Sequence, residues 1–340
     1  MTDTHAHAGL QGRIGPEASV GPDAHPVPSA RARELVRGAY DTHVHVAPDV
    51  MKRRVGDIEL AQRFVDVGQA GFVLKSHYVP TAERAENVRK VVPGADVLGA
   101  ITLNSSVGGL NPVAVEIAAR QGARVVWLPT VDCTNQRESR AQAPAGAVPP
   151  MWAQIQDELA ERGIMAPAIP VVDDDGPVQA LRDVLDLIAR HDLVLATGHL
   201  SGAEILQVVR AAAEAGVRRM VVTHPEFTSQ KIPVDAQREL AEYGALMERC
   251  FTTPHSGKVS WAQFYDHVRR VGPEHSVLSS DLGQPFNPPV EDGLALLADG
   301  FLANGFSEEE IHTMAVVNSR RLAVVGAPVE APVGSEGVRA

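Results

Sequence analysis

Hydrophobic and polar residues alternate along the chain in a regular way. Eight short runs rich in Val, Leu and Ile each end in polar residues, and most are followed by an amphipathic stretch such as PVQALRDVLDLIARH. Apolar runs of this length predict buried strands, whereas the longer stretches have the 3.6-residue period of helices. The runs that we interpret as strands are 40–46, 71–78, 96–104, 124–130, 193–200, 219–225, 245–251 and 276–283.

The spacing of these runs predicts a single (β/α)8 TIM barrel. Successive strands begin roughly 25 to 30 residues apart, except for a gap of roughly 70 residues after the fourth strand. No glycine-rich phosphate turn follows the first strand, which argues against an open doubly wound sheet. The predicted organisation is a flexible arm at 1–38 with a short helix at 30–37, a barrel at 39–326 and a tail at 327–340. The barrel includes an insertion or lid at 131–172, in which we predict a helix at 152–162.

Composition narrows the class of function. The chain has a formal net charge of −11, and 44% of its residues are hydrophobic. Nucleic acids and anionic membranes favour basic surfaces, so we expect neither as a partner and predict a small-molecule substrate. The two cysteines, the lack of a membrane-length apolar run and the lack of a signal-like N-terminus favour a cytoplasmic protein. Barrels of this kind often pair through their outer helices, so a homo-oligomer is also an expectation.

Polar residues that bind metals or transfer protons stand at the predicted strand ends. The carboxyl ends of barrel strands surround the active site in enzymes of this architecture, so these side chains should converge. His43 and His45 are two residues apart on one strand and therefore share a face. Imidazole nitrogens with a carboxylate are typical ligands of zinc. The strand-end candidates are Asp41, His43, His45, Lys75, His77, Asn104, Thr130, Asp132, His199, His224, Glu248 and Asp281.

Five segments together resemble the amidohydrolase superfamily. DTHVH at 41–45, TGH at 197–199, VTHP at 222–225 and SSDLG at 279–283 follow the superfamily's order of metal-binding motifs. VVNSRRLAVVG at 316–326 is similar to the Asn-Pro-Ala segment of the last helix in many members, with Ser319 and Arg320 in place of Pro and Ala. The resemblance implies a barrel that holds one or two divalent ions, usually zinc.

The resemblance also implies a role for each motif residue. His43 and His45 would hold the more buried ion together with Asp281, and His199 and His224 would hold the second ion. Asp281 would in addition act as general base toward a metal-activated water.

Lys75 is one of only five lysines in the chain and ends the second strand. In binuclear members of the superfamily a carboxylated lysine commonly bridges the metals, but from strand four, where this sequence has Thr130. We predict a carbamate on Lys75, with an ion pair to a carboxylate such as Asp41 as the alternative. His77, two residues further on, is interpreted as a ligand or a hydrogen-bond donor to substrate.

Four polar residues near the strand ends are the candidates for substrate contact, and each could also be an ordinary loop residue. Glu248 is interpreted as a salt-bridge partner more often than a ligand, and Cys250 as structural. The four candidates for substrate binding are Tyr78, Asn104, Arg137 and Arg249.

The sequence therefore favours a metal-dependent hydrolase that acts on an amide, cyclic amide, ester, lactone or phosphoester of a small molecule. One alternative keeps the same ligands with a single metal and performs decarboxylation or another lyase reaction. A second uses Lys75 as a Schiff-base nucleophile, as in aldolases. A third is a binding protein with a degenerate site.

Overall fold

The computed structural model describes residues 19–20, 25–143 and 149–325. Most of the predicted N-terminal arm, a short piece of the insertion and the predicted C-terminal tail lie outside these residues. Within the described part of the chain, no helix is long and apolar enough to cross a membrane.

Eight parallel strands form one sheet, and each lies within one of the runs predicted from the sequence, except that the fourth strand begins one residue earlier, at Ala123. Neighbours in the sheet are consecutive barrel strands in the chain, as the (β/α)8 topology requires. The barrel strands are β1 (Tyr40–Val44), β2 (Gly71–Leu74), β3 (Asp96–Thr102), β4 (Ala123–Trp127), β5 (Val194–Ala196), β6 (Arg219–Val222), β7 (Ala245–Cys250) and β8 (Ser276–Ser279).

The sheet closes between its first and last strands. Val44 and Leu282 form a parallel bridge, and the amide of Asp281 donates to the carbonyl of His43 at 2.8 Å. The amide of His45 donates to the Leu282 carbonyl, also at 2.8 Å. Closure therefore occurs just beyond β8, and it draws the predicted ligands of strands one and eight together. The predicted single barrel is confirmed.

Helices alternate with the strands and cover the outside of the barrel. The helix Gln179–Arg190 buries Leu181, Val184, Leu185 and Ile188, which form one face at the helical period. The described helices are α1 (Ala30–Leu35), α2 (Asp57–Asp66), α3 (Ala82–Val91), α4 (Pro112–Arg120), α5 (Thr134–Ala141), α6 (Met151–Glu161), α7 (Gln179–Arg190), α8 (Gly202–Glu214), α9 (Val234–Glu242), α10 (Thr252–His255), α11 (Trp261–Val271), α12 (Gly293–Ala303), α13 (Glu308–His312), a π-helical turn (Thr313–Val317) and α14 (Asn318–Ala323).

The barrel interior is filled by side chains. Small and branched residues from alternate positions pack with Trp127, which is almost fully buried directly beneath the strand ends. At the amino ends of the strands, Leu322 and Ala323 of α14 belong to the same cluster and close the barrel. Any reaction site must therefore lie at the opposite end, where the strands finish in polar residues.

The long segment after β4 contains two helices. The predicted helix at 152–162 is found as α6, whereas α5 was not predicted. The amide of Ile169 donates to the Asp132 carbonyl at 2.9 Å, and Ile169 bridges to Cys133. A short hairpin, Val172–Asp173 with Gly176–Pro177, follows. The insertion is thus folded against the end of β4.

Candidate metal centre

Five histidines from four strand ends form a closed ring of imidazoles. In the order His43, His45, His77, His199, His224 and back to His43, successive ring centroids lie 5.4, 5.1, 6.0, 5.1 and 6.1 Å apart. All five side chains are buried. The structure therefore brings together all the histidines that were predicted for this site.

Most of these imidazoles are held in the neutral form that binds metal ions. Burial is the largest cause, because charging a ring inside the protein costs solvation energy. It lowers the pKa of His224 to about 4, and it sets the pKa of His45, His77 and His199 well below the usual value.

Asp281 lies on one side of the ring. Its Oδ1 is 3.2 Å from Nε2 of His43 and 3.3 Å from Nε2 of His45. The hydroxyl of Thr252 donates to the other carboxylate oxygen at 2.8 Å. Burial alone would raise the pKa of Asp281, but the neighbouring histidines and Lys75 hold it well below its ordinary value. Asp281 is therefore an anion at neutral pH.

Glu248, at the inner face of β7, orients His43. Nδ1 of His43 lies 3.1 and 3.2 Å from the two Glu248 oxygens, so it carries the ring proton and leaves Nε2 as a lone pair. Burial would raise the pKa of Glu248, but His43, with His224 and Lys75, lowers it to about 2. A carboxylate behind a ligating histidine is a common arrangement at metal sites. The interpretation of Glu248 as a partner of another side chain agrees with this position.

Gln230 sets the tautomer of His224 and was not singled out in the sequence. Its Nε2 donates to the carbonyls of Gly198 and Thr223 at 2.9 and 3.0 Å, which fixes the orientation of the amide. Its Oε1 then accepts from Nδ1 of His224 at 2.8 Å. Nε2 of His224 is left as a lone pair that faces the ring.

His199 presents an unsatisfied nitrogen. Its Nδ1 is buried and has no hydrogen-bond partner among the described residues. Gly198, just before it, has φ 65°, and a Cβ there would lie 2.4 Å from the Leu128 carbonyl. Glycine therefore allows the end of β5 to approach β4 closely. A buried nitrogen without a partner is costly, which indicates a ligand at this position.

His45 has a different neighbour behind it. Its Nδ1 lies 3.3 Å from the Arg53 guanidinium, which has only donors, so neutral His45 carries its proton on Nε2, facing Asp281. Asp49 accepts from Arg53 Nε at 2.7 Å, and both side chains are buried. Arg53 and Asp49 were missed because they lie in the loop after β1 rather than at a strand end.

Lys75 lies inside the ring. Its Nζ is 2.9 Å from Nε2 of His43 and 5.1 Å from the centroid of the Trp127 ring. Burial lowers the pKa of Lys75, so the neutral amine is more accessible here than on a surface. Asp41 forms no described ion pair with Lys75: its Oδ1 accepts from the amides of His43 and Ser280 at 3.2 and 3.0 Å, and its buried Oδ2 has no partner among the described residues.

Asn104 is used within the protein. Its amide donates to the His77 carbonyl at 2.9 Å and to the Thr130 hydroxyl at 2.7 Å. Its oxygen accepts from the Thr130 amide at 2.9 Å and from the Asp132 amide at 3.3 Å. Thr130 in turn lies 2.9 Å from Nδ1 of His77. The prediction of substrate contact for Asn104 is therefore corrected to a role in positioning His77.

Arg249 lies on the outer face of β7, because neighbouring residues of a strand alternate and Glu248 points inward. It is fully buried, forms an ion pair with Glu226 and donates to Gln237 of α9 at 2.9 Å. The prediction that Arg249 contacts substrate is corrected for this reason.

Arg137 belongs to the insertion, in α5, and Tyr78 packs against residues of the insertion. Arg137 pairs with Asp132 at 2.8 Å and donates to the Ala166 carbonyl at 2.6 Å, so it supports the insertion. Tyr78 packs against Met51, Val131 and Trp152, beside His77, and its hydroxyl is buried without a described partner.

Cys250 points into the barrel, where its sulfur lies within 4.8 Å of ligand atoms of His43 and Glu248. Burial raises the pKa of the thiol well above its usual value, and the sulfur is 3.3 Å from the Ser279 hydroxyl. The protonated form is thus favoured. This agrees with the structural interpretation from the sequence.

Two residues of the site have strained backbones. His224 and Asp281 have φ of 28° and 52°, a region that residues other than glycine rarely occupy. Such conformations cost about 1–3 kcal/mol each and persist only where surrounding structure enforces them. They cluster at functional sites, and here both are candidate metal ligands.

The donor set fits a divalent metal. One ligand atom each from His43, His45 and Asp281 lie within 4.8 Å of one another. His224 presents an oriented lone pair, and His199 has a buried nitrogen without a described partner. Imidazole nitrogens together with a carboxylate are ligands that zinc and related ions prefer.

Comparisons with known proteins support the fold. The sequence pattern of DUF6282, a family of unknown function, matches residues 38–248. A comparison with curated proteins finds no match. An amidohydrolase from Pseudomonas aeruginosa aligns with a TM-score of 0.55 at 11% identity, over 86% of this chain and 98% of that chain.

Two further structures show the same likeness. A phosphotriesterase homology protein from Escherichia coli, with phosphate in its active site, has a TM-score of 0.51 at 11% identity over 85% of this chain and 99% of that one. A 2-pyrone-4,6-dicarboxylic acid hydrolase, described as putative, from Pseudomonas putida has a TM-score of 0.51 at 16% identity over 84% and 97%. These alignments confirm the (β/α)8 barrel fold that was expected from the sequence.

Proposed function

The chain belongs to DUF6282, and we propose from the geometry of its site that it is a metal-dependent hydrolase of a small molecule. The observation that carries this proposal is the convergence of His43, His45 and Asp281 beside His199 and His224. Two proteins with the same fold, named as an amidohydrolase and a putative pyrone hydrolase, are consistent with this proposal. The scissile bond belongs to an amide, cyclic amide, ester, lactone or phosphoester.

Two divalent ions, most simply zinc, would be held by this set. His43, His45 and Asp281 would hold the first, and His199 and His224 the second. When bound, the metal supplies Lewis acidity that polarises the scissile bond and makes water a stronger acid. Zinc suits this donor set because imidazole and carboxylate are its usual ligands at catalytic sites.

Asp281 is the residue that we assign to proton transfer. It is anionic, Thr252 donates to its Oδ2, and its Oδ1 faces the Nε2 atoms of His43 and His45. Asp281 takes a proton from the attacking water and delivers it to the leaving group, which is general acid–base catalysis by one carboxylate. The strained backbone of Asp281 fixes the direction in which the carboxylate points.

Lys75 would complete the site as a carbamate. Its neutral amine adds to CO₂, the N–C bond forms and one proton is released, which leaves an anionic carboxylate at the end of the side chain. Burial of Lys75 and its contact with His43 support this modification. The carbamate would take the bridging position that strand four, ending near Thr130, does not fill with a lysine.

Metal content and turnover test the proposal together. Purified protein is analysed for Zn, Mn, Fe, Co and Ni per chain, then assayed on amide, lactone, ester and phosphoester panels before and after chelation and reloading. His199→Ala should lose metal and activity, whereas His312→Ala, which changes an exposed histidine of α13, should lose neither. A wild-type chain that binds no metal would refute the hydrolase.

The same experiment separates the alternatives. One ion per chain with CO₂ release and no hydrolysis would indicate the mononuclear lyase. Labelling of Lys75 by borohydride with a carbonyl substrate, with no effect of chelators, would indicate the Schiff-base enzyme. Metal uptake without turnover on any panel would indicate a binding protein. Equilibration with ¹³C-bicarbonate should give a carbamate NMR signal that Lys75→Met removes.

A further inference from the structure

Lys258 lies at the rim of the metal centre, in the loop between α10 and α11. Its Nζ is 4.0 Å from the centroid of the Phe227 ring. The residue is exposed, whereas Val259 next to it is buried and anchors the loop. The ammonium of Lys258 thus contacts the Phe227 ring on one side and is exposed to solvent on the other.

Phe227 connects Lys258 to the candidate metal ligands. Its ring centroid is 4.3 Å from that of His224 and 6.3 Å from that of His199. The ammonium of Lys258 therefore lies one aromatic ring away from the centre.

The loop that carries Phe227 is rigid. The Phe227 amide donates to the His224 carbonyl, and the Ile232 amide donates to the Pro225 carbonyl, each at 2.9 Å. Gln230 fastens the loop to Gly198 through its side chain. The position of the ring under Lys258 is therefore set by the fold rather than by the lysine.

The ammonium of Lys258 is engaged only weakly by the part of the chain that the structure describes. Within the described ranges, no carboxylate pairs with it, and its described hydrogen bond is to the Ser256 hydroxyl at 3.3 Å. An ammonium has three donors, so others remain available. Desolvation lowers the pKa of Lys258, and the charge of Asp281 opposes this shift.

We propose that Lys258 binds a carboxylate of the substrate, with Phe227 as its platform, so that the substrate is a carboxylate-bearing small molecule. This inference deepens the proposed function and rests on it for the place of the scissile bond. In a chain of net charge −11, an anionic substrate needs a local cation at the site. One ammonium on an apolar ring matches the single charge of a carboxylate better than a phosphate dianion, which favours several donors.

Binding of short diacids tests this inference. Succinate, glutarate and adipate are titrated into the metal-loaded protein by calorimetry, each against its monoamide. At least one diacid should bind about tenfold more tightly than its monoamide, as a charge-assisted hydrogen bond provides. Lys258→Met should bring this ratio to about one, and Lys258→Arg should keep most of it.

Lys90→Met is the matched control, because this substitution also removes one positive charge. Lys90 lies on the outer helix α3 and pairs with Glu86, away from the candidate metal centre. It should keep the wild-type ratio. Thermal unfolding of all variants shows whether the loop remains folded. The inference would be overturned if the wild type bound diacid and monoamide equally, or if its preference for the diacid survived Lys258→Met. It would also be overturned if Lys258 were needed only for the binding of inorganic phosphate.

Titrations of the protein stripped of metal distinguish this inference from the proposed function. A Lys258-dependent preference for the diacid in a protein that takes up no metal would refute the hydrolase and retain the carboxylate site. Metal-dependent hydrolysis with equal rates on acids and their neutral amides would refute the carboxylate site and retain the hydrolase.

Discussion

Gln230 gives the sharpest test of the candidate metal centre, because its side-chain oxygen and nitrogen bind different groups. The oxygen accepts the proton of His224 Nδ1 at 2.8 Å, and the nitrogen donates to two backbone carbonyls. Gln230→Leu removes both functions at similar size. Gln230→Glu keeps an acceptor for His224 but removes the donor, so the two variants separate metal affinity from folding stability.

The expected magnitudes follow from these contacts. Removing the partner behind a ligating histidine typically lowers metal affinity about 10- to 100-fold, or about 1.4–2.7 kcal/mol. We expect Gln230→Leu to show this loss and Gln230→Glu to remain within about threefold of the wild type. Gln230 is buried, and each buried group left unpaired costs about 1–3 kcal/mol, so both variants should be less stable.

Metal affinity is measured by competition with a chromophoric chelator, and stability by urea unfolding of the metal-free chain. If Gln230→Leu binds zinc as tightly as the wild type, His224 is not a ligand or its tautomer does not matter. If Glu and Leu at position 230 weaken zinc binding equally, the loss comes from disturbance of the loop rather than from the missing acceptor.

Three further predictions concern activity and stability. Asp281→Asn should lower kcat by about 10²–10⁴-fold while metal content, measured by elemental analysis, falls far less; near-normal turnover would remove the general-base role. Arg249→Met should lower the free energy of unfolding by about 3–5 kcal/mol, because the buried Glu226 carboxylate loses the guanidinium that neutralises it. Its kcat/KM, measured on the folded fraction, should stay close to wild type; a large fall would restore Arg249 to the substrate site. Chelation should lower the melting temperature and abolish turnover, and zinc should restore both, because a ligand that binds only the folded state stabilises it.

The fold was predictable because it depends on patterns that are local in sequence. The apolar runs ended at the correct polar residues, and the helical period located α7 and α6. Helix α5 was missed since its sequence, TNQRESRA, is polar and buries only Gln136. A helix that contributes almost nothing to the core carries no amphipathic signal, so its existence depends on capping and on the neighbouring insertion.

The candidate ligands were predictable for a similar reason, and the residues that hydrogen-bond to them were not. A residue at a barrel strand end faces the site whatever surrounds it, so His43, His199 and Asp281 follow from topology. Gln230 and Arg53 lie in loops, where direction depends on the path of the backbone. Arg249 was wrongly assigned to the site because it stands at a strand end. It follows Glu248 directly, and since successive side chains of a strand alternate between its two faces, Arg249 points toward the outer helices.

The four histidines assigned to the metals differ in which ring nitrogen carries the proton, and this difference affects how readily each can bind a metal ion. His43 and His224 already hold their protons away from the centre, against Glu248 and Gln230. His45 faces Arg53, a donor, so its proton lies on the nitrogen that would have to ligate. Metal binding through Nε2 therefore requires His45 to move its proton to Nδ1 and Arg53 to withdraw from it. Because Asp49 holds Arg53 in place, this exchange has a free-energy cost that His43 and His224 do not share. The site should consequently gain metal affinity when Arg53 is shortened to Met, whereas loss of Glu248 should reduce it.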